Sequence, residues 1–140
     1  MKIAFDVGGV ISKYPQQFRH MMISLKNNPY NEVFVISDMH PKEKIIDVLK
    51  LNNFIGHCID TKDVYSADYA KYGEYCKARL CEQLGIDILV DDFVGYVADG
   101  SHIRLLVMPD STKPYWSDNW KTSSESDFGR RYCKNKIERS

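Results

Sequence analysis

Apolar positions along the chain follow two rhythms, short unbroken runs and longer stretches in which they recur every three or four residues. Lys2 to Asp6 (KIAFD) is the first unbroken run, a strand closed by the turn pair Gly8-Gly9. After Pro15, the residues Phe18, Met21, Met22 and Leu25 fall at i, i+3, i+4 and i+7, which is one face of a helix ended by Asn27-Asn28-Pro29. Glu32 to Ser37 (EVFVIS) is nearly all apolar, as a strand buried on both faces requires. Pro41 suits the first turn of the next helix, where its missing N–H costs nothing, and Ile45, Val48 and Leu49 supply the inward face. A third strand is predicted within Ile55 to Asp60. Ser66 is predicted to cap a long helix that carries Tyr72, Cys76, Leu80 and Leu84 along one side and ends at Gly85. Ile86 to Val90 then forms a fourth strand, followed by Asp91-Asp92, and Ile103 to Met108 a fifth, closed by Pro109.

Strands alternating with helices specify an α/β fold. The expected architecture is a single doubly wound, Rossmann-like, five-stranded parallel sheet with helices on both faces. Right-handed crossovers bring the C-terminal ends of such strands to one edge, where open α/β sheets bind their ligands. The expected core spans residues 1–110. Beyond it the periodicity fades into a C-terminal extension, 111–140. At 140 residues the chain is long enough to bury a core without a disulfide or metal staple.

Charge and cysteine usage narrow the classes. Nineteen basic residues balance nineteen acidic ones, so the molecule as a whole has no electrostatic pull toward nucleic acid or anionic lipid. Cys58, Cys76, Cys81 and Cys133 include no C-x-x-C pair, which argues against a zinc ribbon or a thioredoxin-type site and for reduced, buried thiols. No apolar run approaches the roughly 20 residues of a membrane span, and the first strand has no secretory pattern before it. A cytoplasmic protein without membrane contact is expected.

The chemistry gathers at the strand ends: Asp6 after the first, Ser37 after the second, Asp91-Asp92 after the fourth. A lysine, Lys77 or Lys71, stands on the helix leading into the fourth strand. Taken singly, a strand-end Asp is commonly a turn former and a strand-end Ser commonly a cap. Their joint order is the informative feature.

This order resembles the haloacid dehalogenase (HAD) superfamily of phosphohydrolases over residues 1–108. The family's first motif, D-x-D-x-T/V, is matched by Asp6-Val7-Gly8-Gly9-Val10. Its Ser/Thr motif is matched by Ser37, its lysine by Lys77 or Lys71, and its acidic pair by Asp91-Asp92. The family places its first strand between the second and fourth. The resemblance implies a phosphatase that hydrolyses a phosphate monoester through an aspartyl-phosphate on Asp6. Mg²⁺ would be held by Asp6, the Gly8 carbonyl, Asp91 and Asp92. Ser37 and the lysine would bind and neutralise the phosphoryl oxygens, and Gly8, Gly9 and Asp38 would line the substrate side. Lys77, fourteen residues before Asp91, fits the compact capless members and is favoured over Lys71.

One position departs from the pattern: Gly8 replaces the second aspartate, the family's general acid and base. That exchange keeps a backbone ligand but removes a proton carrier. General acid–base help is commonly worth about 10²–10⁴-fold. Asp38, His40 or a water is a candidate substitute, and a catalytically weak or inactive phosphate- or nucleic-acid-binding module is the alternative function. No segment is long enough for a cap domain, so the expected site is open to a small phosphorylated molecule or a macromolecular end. In the tail, Tyr115, Trp116, Trp120, Phe128 and Tyr132 interleave with basic residues, a weak pointer to nucleic acid; packing of Trp116 and Trp120 on the body explains them as well.

Overall fold

The structure is a computed structural model that describes residues 1–92 and 103–107. Its strands are β1 (Lys2–Phe5), β2 (Glu32–Ser37), β3 (Val64–Ser66), β4 (Ile88–Asp91) and β5 (Arg104–Val107). Its helices are α1 (Pro15–Lys26), α2 (Lys42–Leu51), α3 (Tyr69–Tyr72) and α4 (Cys76–Leu84). The strands form one five-stranded sheet in the order β3-β2-β1-β4-β5. Every pairing is parallel. The fold is therefore α/β, and β1 lies between β2 and β4.

Continuous apolar runs are what such central strands need, because successive side chains point to opposite sides and both sides are dry. Ile3, Phe5, Val33, Val35 and Val90 join one core cluster with Phe18 and Met22 of α1 and Ile45 and Leu49 of α2. Ala4, Phe34, Ile36 and Leu89 join a second cluster with Cys76 and Cys81 of α4. The Phe5 and Phe18 rings meet edge to face with centroids 5.7 Å apart, which locks α1 to the central strand. Cys58, Cys76 and Cys81 are buried free thiols, as their usage suggested; Cys133 lies outside the described residues.

Two expected elements are corrected. The third strand is Val64–Ser66, not a segment within Ile55 to Asp60. Cys58 and Ile59 of that earlier segment are buried in a tight loop instead, with Ile55 partly buried. Phe54 O accepts the N–H groups of His57, Cys58 and Ile59, and only a single bridge joins Ile55 to Ile59. Likewise, the long helix from Ser66 to Gly85 is two helices. Ser66 ends β3, Asp68 caps α3 through its side chain, and the chain breaks at Gly73 (φ 61°, ψ −142°) before α4 begins. Gly85 does end α4 in the left-handed conformation, as expected (φ 71°, ψ 33°).

The tail residues 111–140, with the aromatic and basic positions noted above, lie outside the described residues. Among the described residues no helix is long and apolar enough to cross a membrane.

Candidate active site

Because all five strands are parallel, their C-terminal ends share one edge. Asp6 follows β1 there, and its N–H donates to Val90 O at 2.9 Å, so the ladder to β4 continues through the first residue of the site. Ser37 ends β2 and Asp91 ends β4, so these side chains stand on the two strands flanking Asp6. Lys77, in the first turn of α4, enters from the helix layer. It is 1 % exposed, and its helix neighbours Cys76, Ala78 and Cys81 are buried as well.

That ammonium bridges two carboxylates, lying 2.8 Å from Asp6 Oδ1 and 2.7 Å from Asp91 Oδ2. Asp91 Oδ1 accepts the backbone N–H of Asp92 at 2.7 Å, which holds the second acid of the pair beside the first. One carboxylate oxygen from each of Asp6, Asp91 and Asp92 lies within 4.8 Å of the others. Lys71, the other lysine considered from the sequence, is exposed on α3 with its ammonium over the Tyr72 ring. The structure thus brings together Asp6, Lys77, Asp91 and Asp92 and leaves Lys71 out.

Ionisation in this cluster is a contest between burial and a single lysine. Burial pushes the Asp6 carboxyl up, and Lys77 offsets only part of that push. Asp91 is pushed up to about 6, by burial first and then held back by Lys77. Asp92 also rises to about 6, through burial, its contact with Asp91 and repulsion from it. Burial alone would lower Lys77, yet the charges of Asp91 and Asp6 hold it above its ordinary value. Three carboxylates facing one ammonium leave surplus negative charge in a partly dry site. A hard cation with oxygen ligands offsets such charge, and the three carboxylates, with oxygens within 4.8 Å of one another, could hold a metal ion.

The turn after β1 shapes the approach. Gly9 sits at φ +73°, and a Cβ built there would lie 2.2 Å from Asp92 Oδ2. Glycine is required at that position both for backbone conformation and to admit the Asp92 carboxylate. The Gly9 N–H donates to Ser12 Oγ at 3.2 Å, which commits it within the turn rather than to a phosphate. Gly8 differs: its φ of −66° and ψ of 128° suit any residue, and a Cβ there meets nothing within 4 Å among the described residues. Among the described residues, nothing steric requires glycine at position 8.

Ser37 is 2 % exposed, and its Oγ accepts the N–H of Met39 at 3.1 Å. This leaves the hydroxyl hydrogen available to an acceptor above the sheet edge. Asp38, next along, is exposed.

Two features of this edge were not visible in the sequence. One is the close approach of Asp92 to Gly9. The other is a link from the loop after β2 to the end of β3. Ser66 Oγ donates to Met39 O at 2.6 Å and contacts His40 Nδ1 at 3.1 Å. The sequence signal for that link was hidden because Ser66 reads as a helix cap when β3 is missed.

Comparison with protein-family models, with curated proteins and with solved structures found no match to the chain.

Proposed function

We propose that the chain is a Mg²⁺-dependent phosphomonoesterase of the HAD type, built on a doubly wound core without a cap domain, with Asp6 as nucleophile. The observation that carries this reading is the Lys77 ammonium held between Asp6 and Asp91, at 2.8 and 2.7 Å, beside a third carboxylate on Asp92. A lysine placed so serves two purposes. It favours the ionised form of Asp6 against the burial that opposes it, and it presents positive charge where phosphoryl oxygens gather charge in the transition state.

In this account the Asp6 carboxylate attacks phosphorus and forms an aspartyl-phosphate, which divides one difficult hydrolysis into two easier steps. Ser37 donates its hydroxyl hydrogen to a phosphoryl oxygen, since Met39 already occupies its acceptor side. Lys77 shifts part of its attraction from Asp6 to the phosphoryl group as the new bond forms. Mg²⁺ held by Asp6, Asp91, Asp92 and the Gly8 carbonyl would supply the charge neutralisation that lets an anionic nucleophile meet an anionic ester. Gly8 cannot move a proton, and this is the observation behind the second reading, a phosphate-binding module without useful turnover.

Incubating the purified chain with Mg²⁺ and 4-nitrophenyl phosphate separates the two. The phosphatase reading expects turnover that is lost in Asp6→Asn and on chelation. A folded chain that binds phosphate but hydrolyses no member of a broad monoester panel supports the binding module and overturns the enzyme.

A further inference from the structure

The geometry points to His40 as the residue that protonates the leaving oxygen, taking the place of the carboxyl that Gly8 lacks; this rests on the phosphatase reading above. A serine hydroxyl has a single proton to give and two lone pairs to accept with. Ser66 gives its proton to Met39 O at 2.6 Å, the shortest hydrogen bond in this loop. Toward His40 it therefore acts as acceptor, and Nδ1 at 3.1 Å must be an N–H donor. In the neutral ring this leaves Nε2 as the basic nitrogen, and in the charged ring Nε2 carries the proton that can be given away.

The anchor also fixes where the ring sits. Ser66 pairs with Ser37 across β2 and β3, so His40 is held at the same sheet edge as Ser37 and Asp6. The two nitrogens of an imidazole face away from each other, so tying Nδ1 to Ser66 turns Nε2 away from Ser66. His40 is exposed, and Nε2 has no partner among the described residues. Ser66 stands two strands from Asp6, about 10 Å at ordinary strand spacing. A near-attack contact of about 3 Å, one P–O bond, a hydrogen bond of about 3 Å, the ring and the 3.1 Å contact to Ser66 together exceed that span, so a bent path from Asp6 through phosphorus to His40 bridges it. The loop is rigid for a reason: Met39 N–H binds Ser37 Oγ, Met39 O binds Ser66 Oγ, and Ala67 N–H binds Ser37 O at 2.7 Å. The hydroxyl that holds phosphate and the imidazole thus share one frame.

The proton accounting closes over both half-reactions. As the Asp6 oxygen bonds to phosphorus, the P–O ester bond breaks and its electron pair goes to the ester oxygen, which takes the proton from His40 Nε2 and leaves as the alcohol. Neutral His40 then takes a proton from water while the water oxygen attacks phosphorus. The acyl-phosphate bond breaks, Asp6 returns as carboxylate, and inorganic phosphate and the imidazolium are regenerated. Ser66 is a positioning residue in this scheme, selecting which nitrogen works.

The test uses leaving groups of graded basicity, because a good leaving group does not need the proton. With the full chain and Mg²⁺, His40→Gln is expected to lower kcat/KM for phenyl phosphate by roughly a hundredfold or more. For 4-nitrophenyl phosphate it should change by less than about threefold, and the dependence on leaving-group basicity should steepen. An equal loss on both esters, or none on either, overturns the role of His40 while leaving Asp6 standing. A wild-type chain that hydrolyses neither ester overturns the phosphatase reading and this inference with it. An independent readout is ¹⁵N NMR of the neutral ring at alkaline pH. Wild type should show Nδ1–H, and Ser66→Ala should move the population toward Nε2–H; a wild-type ring already protonated at Nε2 contradicts the inference whatever the kinetics.

Discussion

Lys77 Nζ lies 2.8 Å from Asp6 Oδ1, joining the first turn of α4 to the residue that follows β1. Both side chains are almost wholly buried, at 1 % and 7 % exposure. A buried pair of this kind is poor evidence of extra stability but strong evidence of interdependence, because removing one partner strands the other charge. Replacing Lys77 by Met therefore leaves Asp6 and Asp91 facing each other without a counter-charge. Cation-free Lys77→Met is expected to lose about 3–5 kcal/mol in urea denaturation. Adding Asp91→Asn should recover part of the loss. Lys71→Met, at an exposed position, should stay within about 1 kcal/mol of wild type.

Gly8 and Gly9 are neighbours with opposite demands. Gly9→Ala would set a Cβ 2.2 Å from Asp92 Oδ2 at a φ of +73°, so the Asp92 carboxylate must move. The backbone penalty is roughly 1–2 kcal/mol, and Mg²⁺ affinity measured by calorimetry should fall at least tenfold. Gly8→Ala meets no described atom within 4 Å at an ordinary backbone conformation and should be neutral or stabilising by about 0.4–1 kcal/mol. Equal losses at the two positions would contradict the assignment of Asp92 as a ligand.

The same clearance makes position 8 a site for gain of function. Gly8→Asp installs the carboxyl that the resembled family carries, at an ordinary backbone conformation and with no described atom within 4 Å of its Cβ. In the His40→Gln background it is expected to restore phenyl phosphate hydrolysis at least tenfold, within the usual range of general acid help. Steady-state kinetics of the double variant is the check, and a further decrease would contradict a missing proton carrier as the weakness of this site.

Acidity sets a pH signature. Asp91 and Asp92 rise from an ordinary 3.8 to about 6 in the folded chain, so the fold favours their neutral forms. Between those values the folded state holds protons that the unfolded state has released. Their contribution to stability accordingly falls as pH rises through that window. A divalent cation binds the ionised forms and cancels the loss. The rise in Tm caused by Mg²⁺ should be clearly larger at pH 7.5 than at pH 5; equal shifts at both pH values would mean that these carboxylates do not hold the ion.

How much of this was legible depends on what each residue answers to. The three central strands were readable because burial on both faces demands unbroken apolar runs, and each run ended within a residue or two of where pairing ends. The favoured lysine was readable too, since Lys77 at fourteen residues from Asp91 meets it at 2.7 Å. β3 was not. Three residues long, it owes its existence to pairing with β2, whereas Phe54, Cys58 and Ile59 look like a strand and are a buried loop. The break at Gly73 was missed because apolar spacing runs on across it. Asp92 against Gly9 and His40 against Ser66 are contacts between segments distant in sequence, set by the sheet order, and no local pattern encodes them.

The central claim is that Asp6 attacks phosphorus. Its most direct test is to quench the Mg²⁺-loaded chain during turnover of 4-nitrophenyl phosphate, reduce with borohydride, and sequence the peptides by mass spectrometry. An acyl-phosphate on Asp6 is reduced to the alcohol, so the account predicts homoserine at position 6, dependent on substrate and absent from Asp6→Asn. Turnover with unmodified aspartate at position 6, or with the label on another residue, would contradict it.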